Sequence, residues 1–316
     1  MGPESLKPRA GNPADRYEAQ LKNPEVLNIE GGRVEVYDLI PESPKTETPL
    51  VFVPGWGATA QLFADNAKML AKDGRRVIGL SAPHGMTPSR MKDTDAPVAE
   101  QRKAESILHV LDERGIDKAD VLTHSEGALF TTFAALEHPE HFRNIVYYAP
   151  ASLIGDDTFW ELAFRTGIDA IDQMKGRNKE ERRGERLDAL SADVAKAALS
   201  APHHSLAEVK AIASTRIEEN LRALHEKGVG IVIMAPVGDK AWPVERMTQM
   251  IKGDMVDGFI SVGDPSGSGA VSDTHNSLYL SPEKFTPAVD ALLDTMERNW
   301  NKNHETAEID GLKEAA

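Results

Sequence analysis

The stretch Val121-Leu122-Thr123-His124-Ser125-Glu126-Gly127-Ala128-Leu129 joins an apolar strand end to a helix through one serine. Residues 120–122 read as the end of a strand, and residues 128–137 as a helix. Ser125 stands between them, with Thr123 two positions before and Gly127 two positions after. A serine on a sharp strand-to-helix turn has its hydroxyl pushed into the open. The N–H of the next residue then lies at a helix N-terminus, where it can meet developing negative charge. Such a serine needs a base, an acid and an oxyanion hole, and the rest of the chain is read for them.

Outward from this turn, short apolar runs alternate with segments of helical spacing. Residues 49–53, 77–80, 144–148, 230–235 and 258–262 have the β-branched or aliphatic content of buried strands. Residues 61–72, 98–114, 245–252 and 282–299 read as helices. This alternation predicts βαβ units and an α/β fold with a doubly wound, mainly parallel sheet covered on both faces. Residues 26–28 and 34–39, joined at Gly31-Gly32, predict a leading hairpin and an antiparallel edge. Ligands of such sheets bind at the carboxyl ends of the strands.

One region breaks the rhythm. Between Pro150 and Gly228 there is no strand pattern, only helical runs at 157–174, 187–199 and 206–226. This is too long for a simple loop, so 151–228 is expected to be a helical insertion capping the strand ends. The core is then 23–150 and 229–300, preceded by a polar arm at 1–22 and followed by a polar, frayed tail at 301–316. Phe159, Trp160 and Phe164 at the start of the insertion, with Trp56 and Trp242 near the mouth, are expected to form an aromatic substrate surface if they face inward. The same side chains would otherwise seat the cap on the core.

Composition narrows the function. The 316 residues are 41% hydrophobic and 27% charged, an ordinary globular balance. A net charge of -14 disfavours nucleic acid, whose phosphates require Lys and Arg. There is no cysteine, which excludes disulfides, a thiolate nucleophile and Cys-based metal sites. No run is long and apolar enough for a membrane span, and the polar first 16 residues lack a signal-peptide core, so a cytoplasmic location is expected. A removed leader would leave the same chain. No motif calls for a cofactor or a metal: His203-His204 lacks partners at ligand spacing, and Pro139 interrupts the helix that would carry His138 and His141.

The partners of Ser125 must come from loops after later strands. After residues 230–235 comes Pro236-Val237-Gly238-Asp239, an aspartate on a glycine turn, which could equally be a turn or capping residue. Asp156 and Asp157 follow another strand, and Asp264 and Asp273 share the histidine loop; these are the rival acids. Beyond Asp239 only His275 and His304 remain as histidines, and His304 lies in the tail. His275 is therefore the candidate base. Pro54-Gly55-Trp56-Gly57 lets the backbone approach closely, so the N–H of Trp56, with that of Glu126, is the candidate oxyanion hole. His84 in the loop after residues 77–80 is a further pocket candidate.

In this order the four elements resemble the α/β-hydrolase superfamily, in particular its serine esterase and lipase branch with a helical cap. The resemblance covers roughly residues 26–299. It implies Ser125 as nucleophile, Asp239 as acid, His275 as base, and Trp56 and Glu126 as oxyanion donors. It implies cleavage of carboxylic esters through an acyl-enzyme, on a moderately hydrophobic small molecule; an acyltransferase or a ligand-binding protein on the same fold is the alternative. Two positions depart from the family: Thr123 where glycine is usual, and Pro54 where histidine is frequent.

Overall fold

The computed structural model describes residues 13–29, 32–83, 97–155, 157–264 and 273–314. Eight strands form one sheet: β1 (Glu25–Ile29), β2 (Gly32–Leu39), β3 (Leu50–Val53), β4 (Val77–Ser81), β5 (Ala119–His124), β6 (Phe142–Tyr148), β7 (Gly230–Pro236) and β8 (Gly258–Val262). Their spatial order is β1-β2-β4-β3-β5-β6-β7-β8. The pairs β1–β2 and β2–β4 are antiparallel, and all others are parallel. Each of these strands coincides with an apolar run read from the sequence, and the hairpin forms the antiparallel edge.

Side chains alternate between the two faces, as the two-residue period of a strand requires. Val51 and Val53 of β3 enter one core, together with α3 (Val98–Glu113), α4 (Gly127–Glu137) and α8 (Glu218–Glu226). Leu50 and Phe52 enter the other, with α1 (Pro13–Lys22), α2 (Ala64–Lys72) and α11 (Pro282–Glu314). Strands β5 and β6 are buried along their whole length, as expected of parallel strands covered on both faces. The short helices α9 (Val244–Met250) and α10 (Ser277–Leu280) follow β7 and precede α11.

Between β6 and β7 stand four helices: α5 (Phe159–Lys175), α6 (Arg183–Ser200), α7 (Pro202–Ser214) and α8. The expected helical cap is present, but the single run read over 206–226 is broken after Ser214. Its second part, α8, packs on α4 with Leu221 and Leu224 in the core. Both termini differ from expectation. Residues 13–22 are a helix docked through buried Tyr17 and Leu21, with the Tyr17 hydroxyl donating to the Ile40 carbonyl at 3.3 Å. The polar spacing of this segment hides two apolar anchors four residues apart on one face. The polar tail continues α11 as helix to Glu314. His84 and Asp156 lie outside the described residues.

One strand contact illustrates the tightness of the sheet. Tyr37 of β2 pairs with Gly79 of β4, and a Cβ at Gly79 would stand 2.1 Å from Tyr37 Cζ. The buried ring lies across the glycine. Gly79→Ala is expected to destabilise the fold by about 1–3 kcal/mol through overpacking, read as a lower urea midpoint with an unchanged m-value. An unaltered midpoint would show that the ring has room to move.

Candidate active site

Strands β3 and β5 are neighbours where the winding reverses, with β4 on one side and β6 on the other. A crevice opens at such a point, outside the carboxyl ends of the strands. The loop after β3 and the turn after β5 meet there. A Cβ at Gly55 would come within 2.6 Å of Ser125 Cβ and 3.2 Å of its Oγ. Only glycine lets the loop pass so close, which sets Trp56 beside the serine.

Ser125 has φ 54°, in the left-handed region. For a residue with a side chain this costs on the order of 1–3 kcal/mol. It is held there by its backbone: Ser125 N–H donates to the Tyr148 carbonyl (3.2 Å), and its own carbonyl accepts from Ala128 (3.0 Å) and Ala151 (3.1 Å). A Cβ at Gly127 would stand 2.6 Å from Thr123 Oγ1 and 2.7 Å from the Pro54 carbonyl. The unusual Thr123 therefore occupies the room that Gly127 leaves free.

Three of the candidate residues form a hydrogen-bonded chain. His275 Nε2 lies 2.8 Å from Ser125 Oγ, and His275 Nδ1 lies 2.8 Å from Asp239 Oδ2. A carboxylate accepts, so Nδ1–H donates to it and Nε2 is left to accept from the serine hydroxyl. The second oxygen of Asp239 accepts from Trp242 N–H at 2.8 Å. Burial opposes a charge on His275, but the Asp239 carboxylate, helped by Asp169, outweighs it and raises the imidazole above its ordinary 6.5. Behind it His124 Nε2–H donates to the His275 carbonyl at 3.1 Å, with the two rings 4.9 Å apart. Burial, followed by the charge of His275, pushes His124 down to about 3, so it stays neutral.

Two of the rival acids are engaged elsewhere. Asp157 is paired with Arg165 and faces Arg246 at 3.6 Å. Asp273 receives Lys284 Nζ at 2.5 Å and the N–H of Asp264 at 2.6 Å.

The expected aromatic roof is not there. Trp160 and Phe164 are 77% and 71% exposed, while Phe159 is half-buried with its ring edge-on to Trp160. The inward face of α5 is polar instead. Asp169 accepts from the backbone N–H of Lys240 (3.1 Å) and His275 (3.3 Å), and Arg165 donates to the Ala241 carbonyl at 3.1 Å. Gln173 donates to Asp169 at 2.5 Å and accepts from Asn276 at 3.3 Å. The loops carrying Asp239 and His275 present backbone groups that need partners once buried, and α5 turns its polar side to them. Trp242 is buried in the core, and the Trp56 indole N–H donates to Glu208 of α7 at 3.0 Å.

That last bond belongs to a buried charge cluster that the sequence reading missed. Lys103 of α3 lies 2.7 Å from Glu126 and 3.1 Å from Glu208. All three are buried, as is Glu100. Burial works against the charge on Lys103, but the surrounding carboxylates raise its pKa. Burial, then the neighbouring Glu126, pushes Glu100 well above the carboxylate range. The signal was present: Glu100 and Lys103 fall on the same face of α3 as Ile107 and Leu111, where a solvated charge does not belong. Before β6, the turn Pro139–His141 brings ligand atoms of His138, Glu140 and His141 within 4.8 Å of one another, a grouping that could hold a metal ion.

Removing the central cation should be costly. Lys103→Met leaves Glu126 and Glu208 buried without their counter-charge and is expected to cost about 3–5 kcal/mol, measured by urea denaturation. A loss under 1 kcal/mol would mean that the cluster relaxes without its lysine.

Residues 48–207, half of the chain, match the family model described as alpha/beta hydrolase fold. Among curated proteins, the abhydrolase domain-containing protein abhd-5.2 of Caenorhabditis elegans is 29% identical over 107 residues. That alignment spans 34% of this chain and only 24% of the nematode protein. Solved structures share the fold at low identity. A hydrolase from Pseudomonas aeruginosa has a TM-score of 0.58 at 17% identity, covering 86% of this chain and 98% of its own. A carboxylesterase structure from Nitrososphaera gargenis has a TM-score of 0.62 at 16% identity, with 87% and 100% covered. The enol-lactonase from Burkholderia xenovorans gives 0.61 at 14%, with 85% and 100% covered. With the eight-stranded sheet, the helical cap and the turn at Ser125, these matches make the chain a member of the alpha/beta hydrolase fold family.

Proposed function

We propose that this chain is a carboxylic-ester hydrolase acting through an acyl-enzyme on Ser125. The observation that carries the reading is the continuous chain Ser125 Oγ–His275 Nε2, His275 Nδ1–Asp239 Oδ2, both contacts at 2.8 Å. Ser125 Oγ attacks the ester carbonyl while His275 takes its proton. The tetrahedral oxyanion is met by the N–H groups of Trp56 and Glu126, each worth about 2.7–4 kcal/mol of transition-state stabilisation. Collapse breaks the C–O bond, and His275 returns the proton to the departing alcohol. A water molecule, deprotonated by the same histidine, then attacks the acyl-serine and regenerates Ser125. Asp239 fixes the tautomer and stabilises the imidazolium.

Family membership and fold-mates described as a carboxylesterase and an enol-lactonase support an ester-type bond as the target. The outward Trp160 and Phe164 do not contribute an acyl pocket. Apolar surface near the site comes from α6 instead: a Cβ at Gly57 would lie 3.1 Å from Val194 Cα and 3.4 Å from Ala197 Cβ. A small, moderately apolar acyl group suits that wall.

Ser125→Ala should lower kcat on p-nitrophenyl esters by about 10⁶-fold, with the far-UV circular dichroism spectrum unchanged and no labelling by a fluorophosphonate. Substantial remaining turnover would remove Ser125 from the role. The base must be neutral to accept the proton, so kcat/KM should fall as pH drops through the raised pKa of His275. The acid limb is therefore expected above pH 6.5, the ordinary histidine value. Asp239→Asn removes the charge that raises that pKa, so the limb should move to lower pH while kcat falls by about 10⁴-fold. A limb that stays in place would show that Asp239 is not the partner.

A further inference from the structure

Helix α5 has two unlike sides. Its buried residues, Leu162, Asp169 and Gln173, lie on one. The opposite side is apolar and bare: Trp160, Phe164, Ile171 and Met174 are 77%, 71%, 56% and 54% exposed, and Ile168 adds to the same side. This is the largest run of exposed apolar side chains among the described residues. Together they leave on the order of 600 Å² of apolar side chain in water, the upper end of what a monomer tolerates.

We propose that this side of α5 is the seam of a symmetric homodimer, in which two copies pack their α5 helices antiparallel about a two-fold axis near Gly167. The spacing is that of a helix–helix seam. Positions 160, 164, 167, 171 and 174 follow one another at intervals of four, three, four and three, the a/d pattern of a packed helix pair. Gly167 is the middle member, and a Cβ there would meet nothing within 4 Å in its own chain. A glycine at the crossing point, flanked at 163 and 170 by alanines, lets two helix backbones come close.

Charge selects the antiparallel sense. The first turn of α5 carries Glu161 and the last carries Lys175. Antiparallel pairing about Gly167 sets Glu161 beside the partner's Lys175 and Trp160 beside the partner's Met174. A parallel pair would oppose like charges. The two-fold makes the contact self-limiting, because the same patch serves both copies. Doubling the exposed area gives about 1,200 Å², the floor of the range for stable interfaces.

The chemistry favours a second copy over a lipid surface. Interfacial helices carry Lys and Arg along their polar face, whereas α5 has Glu161, Asp169 and Asp172 against Arg165 and Lys175. The chain's net charge of -14 is repelled by anionic headgroups.

The test uses the full chain at tens of micromolar in sedimentation velocity. A mass of twice 34.5 kDa is expected, falling to that of one chain in Phe164→Glu and in Ile171→Glu, with unchanged circular dichroism. The chain has no cysteine, so Gly167→Cys supplies a single thiol beside the axis. Mild oxidation should link it into a covalent dimer far more completely than Thr166→Cys, one residue round the helix. A monomeric wild type overturns the proposal, as does a dimer indifferent to both glutamates or equal cross-linking at 166 and 167. Co-sedimentation of a monomer with phosphatidylcholine vesicles would also overturn it, assigning the stripe to lipid.

Discussion

The left-handed backbone of Ser125 is the constraint on which the site depends. It turns the chain from a wholly buried strand into a helix whose first nine residues are also buried. Neither element can shift to relieve the strain, because Thr123 is in register with Val53 on one side and Tyr147 on the other. The same register levels the neighbouring loops. Ala149 N–H donates to the Met234 carbonyl at 2.8 Å, so the ends of β6 and β7 are tied at the height of the serine. Strain is affordable at one residue because several fully buried strands surround it.

A second constraint is electrostatic. Moving a lysine and two carboxylates out of water costs several kcal/mol for each ion, and close pairing offsets it only in part. What the Lys103 cluster joins is three segments far apart in sequence: the residue after the serine, α3, and α7 of the insertion, with Trp56 attached through Glu208. Asp169 makes a similar link from α5 to the histidine loop. Burial, and then nearby Asp239, raise its pKa.

How much of this the sequence discloses follows from where the information lies. The strands are legible because short apolar β-branched runs bounded by turn residues have few other uses in a globular chain. Ser125, Asp239 and His275 are legible because each follows such a run and because so few histidines lie downstream. The orientation of α5 is not legible. Its pattern is amphipathic, and periodicity alone says the apolar side goes inward. The polar side wins because the loops beneath it offer unsatisfied backbone groups. Glu208 is invisible for a related reason, since only the fold brings its partners together from residues 56 and 103. Thr123 looked like a departure from pattern; its neighbour Gly127 absorbs the extra bulk.

The insertion between β6 and β7 looks, on a diagram, like a detachable module. Its contacts say otherwise. Glu208 closes a charge cluster rooted in the core, Asp169 satisfies the backbone of the histidine loop, and Arg183 and Arg186 bond to Ser281 and the Leu280 carbonyl at 2.7 and 3.3 Å. Grafting a foreign cap onto this core would take one of its two carboxylates from buried Lys103 and the acceptors from the Trp56 indole and the backbone N–H groups of Lys240 and His275 at once. Caps here are not freely interchangeable parts. Substitutions within the cap leave these links in place, whereas wholesale exchange would have to rewrite α3 and the serine turn in the same step.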